Sequence, residues 1–252
     1  MRHCDNWRKG LAALVSVSVL ALASTSAQAF DWGSVKGSGR FTTVQRTVSD
    51  FTGLSLELPA KLELVQGEVE GLSMETDDNL APLIETVVED RQLKIRLARS
   101  GKSIDPRRLN ITVRVRALNA ISISGSGDVH SARLAAPRLR LSVAGSGDVR
   151  LDELQSESLK VSVAGSGDVT ASGRADAVDA HVAGSGELRL GRLAAKEVKL
   201  SIAGSGNATV WATQTLAVNV AGSGDARYYG DAKLSSSVAG SGSLKRLGGA
   251  PQ

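Results

Sequence analysis

The sequence predicts an all-β chain folded as a parallel β-solenoid, and three observations carry that reading. The tripeptide Gly-Ser-Gly recurs seven times, beginning at Gly125, Gly145, Gly165, Gly184, Gly204, Gly222 and Gly240, in steps of 20, 20, 19, 20, 18 and 18 residues. A fixed period in this range marks stacked repeats, because one unit cannot bury its apolar face alone. Around each tripeptide apolar and polar residues alternate with a period of two, as in a half-buried strand. Fourteen of the 27 glycines stand in these seven turns, which favours turns that require glycine over a flexible linker.

In chain order, residues 1–29 read as a signal peptide. Arg2, Arg8 and Lys9 precede an apolar run over residues 11–23, and Ala27-Gln28-Ala29 supplies a small-x-small cleavage site that leaves Phe30 first. The run is short for a bilayer span, so no transmembrane segment is expected in the mature chain. Loss of the three cations and Asp5 lowers the formal net charge from +4 to about +2. No basic stripe then remains to follow a phosphate backbone, which argues against nucleic acid as a partner. The one cysteine, Cys4, falls ahead of the apolar run, where a lipidated cysteine would not stand. Without disulfides, hydrophobic stacking has to hold the exported chain together.

Residues 30–118 form an all-β N-terminal part that continues or caps the solenoid. They lack the tripeptide after Gly37-Ser38-Gly39 but alternate at Leu54 to Leu58, Leu62 to Leu64, Leu93 to Leu97 and Ile111 to Val115. Asp78 to Ile84, with Pro82 near the start, reads as a short helical turn.

Residues 119–247 are the repeat solenoid. Two residues before each tripeptide stand Ile123, Val143, Val163, Val182, Ile202, Val220 and Val238; four before stand Ile121, Leu141, Val161, Ala180, Leu200, Val218 and Ser236. Polar residues such as Ser142, Ser162, His181, Ser201 and Asn219 separate them. After the turn Val129, Val149, Val169, Leu188, Ala208, Ala226 and Leu244 point inward again. Each coil is thus strand, turn, strand, loop, and at a rise of about 4.8 Å seven coils extend about 34 Å. The turn glycines are Gly125 and Gly127, Gly145 and Gly147, Gly165 and Gly167, Gly184 and Gly186, Gly204 and Gly206, Gly222 and Gly224, and Gly240 and Gly242. Side chains there would meet the coil above. The last coil turns polar at Ser235-Ser236-Ser237, as an end facing water should, and residues 248–252 read as a disordered tail.

Two motif sets resemble a known family. The run Arg46-Thr47-Val48-Ser49-Asp50-Phe51-Thr52-Gly53-Leu54, followed by Leu64-Val65-Gln66-Gly67 and Glu75-Thr76-Asp77-Asp78-Asn79-Leu80, is similar to the opening of a bacterial exported family named putative auto-transporter adhesin, head GIN domain. Its hallmark Ala-Gly-Ser-Gly-Asp repeat stands here from Ala144, Ala164 and Ala221. The resemblance covers residues 40–245. It implies a right-handed, β-helix-like fold in an envelope protein and supplies no demonstrated activity. Unlike a full autotransporter, the chain shows no membrane barrel of alternating strands after residue 245.

Candidate chemistry lies on the outward rows after the turn. Asp128, Asp148, Asp168, Glu187, Asn207, Asp225 and Ser243 follow the tripeptides directly. Stacked carboxylates at coil spacing repel by about 0.9 kcal/mol per neighbour in water. Calcium would offset this, but two of the seven positions carry no charge and the period is twice that of calcium-binding nonapeptide solenoids. The neighbouring row, His130, Arg150, Thr170, Arg189, Thr209, Arg227 and Lys245, offers pairing instead. Asx-type bonds to the turn backbone would hold the aspartates as well. Structural turn residues are therefore expected, with no cofactor.

Trp211 and Tyr229 share an outward parity, with Tyr228 beside them; they read as loop-packing residues, with a small exposed aromatic patch as the alternative. His130 and His181 stand in different rows, and the repeated serines lack a placed histidine. Aromatics are 3% of the chain, too sparse for the sugar platforms of a polysaccharide-active enzyme.

The functional expectation is an exported, non-enzymatic envelope protein, in the periplasm or at the surface of a Gram-negative bacterium. It would bind an extended or repetitive partner, a glycan or another envelope protein. The alternative is a periplasmic scaffold that self-associates through an open solenoid end or binds envelope proteins.

Overall fold

The structure, a computed structural model, describes residues 34–98 and 102–251. The leader expected over residues 1–29 lies outside the described residues. Twenty strands run in chain order as β1 (Ser34–Lys36), β2 (Phe41–Arg46), β3 (Gly53–Leu56), β4 (Lys61–Gln66), β5 (Gly71–Asp77), β6 (Ile84–Glu89), β7 (Gln92–Leu97), β8 (Ser103–Asp105), β9 (Leu109–Val115), β10 (Ala120–Gly125), β11 (Asp128–Ser131), β12 (Leu134–Ala135), β13 (Arg138–Gly145), β14 (Val149–Gly165), β15 (Val169–Gly184), β16 (Glu187–Gly204), β17 (Asn207–Gly222), β18 (Asp225–Tyr229), β19 (Lys233–Gly240) and β20 (Ser243–Gly248). Among the described residues a single 3₁₀ turn, Ala81–Leu83, carries Pro82 in its first turn, where a missing N–H costs nothing.

From β10 to β20 the chain is a parallel β-solenoid. The strands on either side of each turn pair with their counterparts one period later, as in Ile121↔Leu141, Leu141↔Val161 and Val161↔Ala180. The expected inward rows are buried: Leu141, Leu200 and Val218 are at most 1% exposed, as is Val143. At about 25 cal/mol per Å² of apolar surface removed from water, this continuous core is the main favourable term.

One expectation needs correcting. The second corner of the middle coils is not a loop: β14 to β17 run unbroken through it, with register shifts between Leu151 and Leu154, Thr170 and Ser172, and Leu190 and Ala194. Successive coils bend at the same place, so their backbone groups still pair across the bend, and the ladder survives as a bulge. The shortening of the period from 20 to 18 residues is absorbed at this corner, where Leu190↔Val210 gives way to Ala194↔Trp211.

The N-terminal part both continues and caps the stack. β3 and β4 form a coil that pairs in parallel with β10 and β11 on one side and with β7 and β9 on the other. The coil earliest in sequence is therefore sandwiched between later ones. Beyond it β5 lies antiparallel on β9, β2 antiparallel on β5, and β6 antiparallel on β7. The short β1 pairs with β8. Asp77, buried at the end of β5, fastens this region: its carboxylate accepts the backbone N–H of Gly39 at 2.7 Å and of Arg107 at 3.0 Å.

At the far end no strand covers β19 among the described residues. Leu234 and Val238 continue the core rows yet are 41% and 43% exposed, and Ser236 stands where other coils bury an aliphatic residue.

Candidate functional site

The Gly-Ser-Gly turns set the geometry of the outward rows. Gly145 has φ of +127°, a conformation that side chains rarely adopt, and a β-carbon there would overlap the Gly125 carbonyl oxygen. That oxygen accepts two N–H groups from the next coil, Ser146 at 2.8 Å and Gly147 at 3.1 Å. The second glycine is excluded from bearing a side chain by the carbonyl of the glycine beneath it, as Gly147 is by Gly127. Each remaining turn pair repeats this contact with the coil before it, from Gly165 and Gly167 to Gly240 and Gly242, while Gly127 meets Leu58 of the N-terminal part. The turns are thus a column of backbone against backbone. The serines at their tips are exposed.

Directly beyond the turn the acidic row forms a ladder. Asp148 donates its backbone N–H to Asp128 Oδ1 at 3.3 Å, Asp168 to Asp148 Oδ1 at 3.0 Å, and Glu187 to Asp168 Oδ1 at 3.0 Å. The ladder resumes where Asp225 donates its backbone N–H to Asn207 Oδ1 at 3.0 Å and Ser243 donates its own to Asp225 Oδ1 at 3.1 Å. Glu187, one methylene longer, drops out, and the Asn207 N–H goes to the Gly186 carbonyl. Ser243 adds a hydroxyl bond to Asp225 at 2.7 Å, which holds that carboxyl below its usual range. Among the described residues no group of three or more His, Cys, Asp or Glu is arranged to hold a metal ion.

The basic row beside it pairs in part with the acids. Arg189 reaches Glu187 at 2.6 Å and Asp168 at 3.0 Å, and Arg227 lies 3.8 Å from Asp225. Arg150 turns away from the ladder to Asp152, at 2.7 Å. That carboxylate also receives His130, whose Nε2 is 2.7 Å from it while Nδ1 is 2.8 Å from Glu63. Asp152 and then Glu63 raise the His130 pKa, and His130 and then Arg150 lower that of Asp152. With both nitrogens engaged by carboxylates, the ring has no free nitrogen to serve as a base. His181 is held separately, 3.0 Å from Asp179.

These rows line a shallow groove of about 530 Å³ that runs from Lys61 and Glu63 across His130, Arg150 and Thr170 to Arg189. It continues, through Arg150, Thr170 and Arg189, into a second hollow of about 430 Å³ lined by Ser172, Gly191, Thr209 and Tyr229. Trp211 pairs in register with Tyr229, and both are half-buried. The Tyr229 ring lies over Gly191, where a β-carbon would approach it to 3.4 Å. Tyr229 is therefore packed against the face, while part of each ring stays open to solvent.

Glu63 and Asp152 were not among the residues marked by sequence. Asp152 carried a signal, since it shares the outward parity of Arg150 two residues on. Glu63 carried none, because its coil has no tripeptide and stacks out of sequence order.

These rows present a charged, regularly spaced face on a rigid β-solenoid, and they do not place a nucleophile beside a free base. The chain belongs to the family described as putative auto-transporter adhesin, head GIN domain, whose model matches residues 50–232. A putative adhesin from Bacteroides fragilis NCTC 9343 is similar at 29% identity and a TM-score of 0.81, over 84% of this chain and 100% of that one. A putative lipid binding protein from Parabacteroides distasonis ATCC 8503 is similar at 28% identity and a TM-score of 0.72, over 85% of this chain and 100% of that one. A putative adhesin from Parabacteroides merdae ATCC 43184, 22% identical with a TM-score of 0.68 over 84% and 98%, shares the fold. Comparison with curated proteins gave no match. Among the described residues no helix is long and apolar enough to cross a membrane.

Proposed function

We propose that this chain is an exported, non-enzymatic envelope protein whose outward face after the turns acts as an adhesin-like binding surface. The observation that carries the reading is the register of that face: Glu63, His130, Arg150, Thr170, Arg189, Thr209 and Arg227 occupy one row on consecutive paired strands. Side chains at one spacing of about 4.8 Å match an extended or repetitive partner, such as a glycan or another envelope protein, and the mixed charges favour specificity over bulk attraction. Membership of a family described as adhesins supports this, and the leader-like residues 1–29 support export. Protease treatment of intact and of osmotically shocked cells tests the location. Digestion in intact cells places the protein at the surface. Protection until shock confines it to the periplasm and removes the adhesin reading.

A second reading rests on the last coil, where the exposed Leu234, Val238 and Leu247 line an uncovered edge. An open edge of this kind is a template for strand pairing, and the protein would then be a self-associating scaffold. Sedimentation over a hundredfold concentration range decides it: a concentration-dependent rise in size supports the scaffold, and a constant monomer rejects it.

A further inference from the structure

We propose that Arg138, Arg140 and Lys160 form a binding site for a phosphate group, on the face before the turns and independent of the reading above. Arg138 and Arg140 point outward from β13, two residues apart and so about 6.6 Å from each other along the strand. Lys160 of β14 is the register partner of Arg140, one strand spacing of about 4.8 Å away. All three side chains are exposed around a hollow of about 290 Å³, whose wall also includes Asn119 and Ser158. Both strands are hydrogen-bonded to neighbours on either side, so the three attachment points are fixed.

Several cations elsewhere in the repeats have carboxylate partners: Arg133 holds Glu153, Arg150 holds Asp152 and Lys196 holds Asp176. The three cations of the hollow, among the described residues, are in no ion pair. Two carboxylates lie close in the chain fold. Asp179 is the register partner of Lys160, but its carboxylate is engaged by His181 at 3.0 Å, and Glu157 precedes Ser158 outside the hollow. Three like charges held at strand spacing repel one another, and a compact oxyanion offsets that repulsion. Arginine is suited to the task, since its planar fork takes two oxygens of a phosphate at once, with Lys160 as a point charge and the Ser158 hydroxyl as a further donor. The cluster spans two coils only, which fits one phosphate group rather than a polymer backbone.

The phosphate could be free or the headgroup of a lipid, and one experiment separates the sources. The full protein is titrated with inorganic phosphate while its amide resonances are followed, and is sedimented with vesicles of phosphatidylglycerol or of phosphatidylcholine. Shifts confined to residues 138–140 and 158–160 support the site with a soluble phosphate. Co-sedimentation with phosphatidylglycerol alone, reversed by 0.5 M salt, on the order of a few ångströms of screening length, supports it with a lipid headgroup. The Arg138→Gln/Arg140→Gln variant should bind about 30-fold more weakly, at about fivefold per cation removed. Lys160→Gln should weaken binding independently, and Arg133→Gln, which removes a cation already paired, should not. Absence of both shifts and co-sedimentation, or undiminished binding by the double variant at unchanged melting temperature, overturns the proposal.

Discussion

Asp148 Oδ1 accepts the backbone N–H of Asp168 at 3.0 Å, one coil on. The bond converts a column of like charges into a fastening, because each aspartate of the row satisfies an N–H that the turn leaves without a strand partner. It also explains the two uncharged positions in the row. Asn207 offers its side-chain amide oxygen to the Asp225 N–H in the same way, and Ser243 stands on the last coil of the described residues.

The ladder needs an oxygen rather than a charge, so Asp148→Asn and Asp148→Ala should separate. Asparagine keeps Oδ1 and should leave the melting temperature within a degree or about that of wild type. Alanine orphans the Asp168 N–H and should cost about 1 kcal/mol, or about 2–4 °C. Calorimetry on the two variants gives the comparison, and equal losses would mean that charge is what matters.

Gly165 has φ of +126°, and a β-carbon there would overlap the Gly145 carbonyl. Gly165→Ala should therefore destabilise by roughly 2–4 kcal/mol through backbone strain and overpacking together. Ser166→Ala, at the exposed tip of the same turn, should change little. Urea unfolding of both variants checks this, and a mild effect at Gly165 would show that the coils can separate to admit a methyl group.

Burial of the same aliphatic row differs between coils. Leu141 is fully buried, and Leu141→Ala should cost about 2–5 kcal/mol. Leu234 is 41% exposed on the uncovered last coil, and its truncation should cost about 1 kcal/mol or less. Matching losses at the two sites would indicate that the last coil is covered in solution.

His130 ties the N-terminal coil to the second repeat through Glu63 and Asp152, and the fold raises its pKa. The unfolded value is about 6.5. A raised folded pKa contributes stability that is complete below the unfolded value and lost as pH rises through the folded one. The melting-temperature gap between wild type and His130→Gln should thus be larger at pH 5.5 than at pH 8.5, both being pH values on the order of one to two units from that reference. A gap that widens toward high pH would contradict the ion-pair assignment.

The repeat was legible because each of its features is local: the tripeptide, the alternation around Val143 and Val163, and the apolar column ending at Ser236 all follow from side-chain periodicity. The corner of the middle coils was not, since bulged pairing between Leu151 and Leu154 depends on the coil above and leaves no pattern in one strand. The order of the N-terminal coils was hidden for a similar reason. β3 pairs with both β7 and β10, and no spacing rule announces that a strand will lie between two later ones. The acidic row was visible as residues, and pairing along it with Arg189 and Arg227 was a matter of parity. The capture of Arg150 by Asp152, and of His130 by a residue 67 positions away, depended on that stack order.

The most direct measurement for the account is binding of the purified protein to isolated envelopes, compared with an Arg150→Ala/Arg189→Ala/Arg227→Ala variant of the outward face. The three arginines are exposed, so the variant should fold. The account predicts saturable retention of wild type and at least about tenfold weaker retention of the variant, a loss of about 1.4 kcal/mol. Equal retention of the two proteins, or none of either, would contradict a binding role for this face.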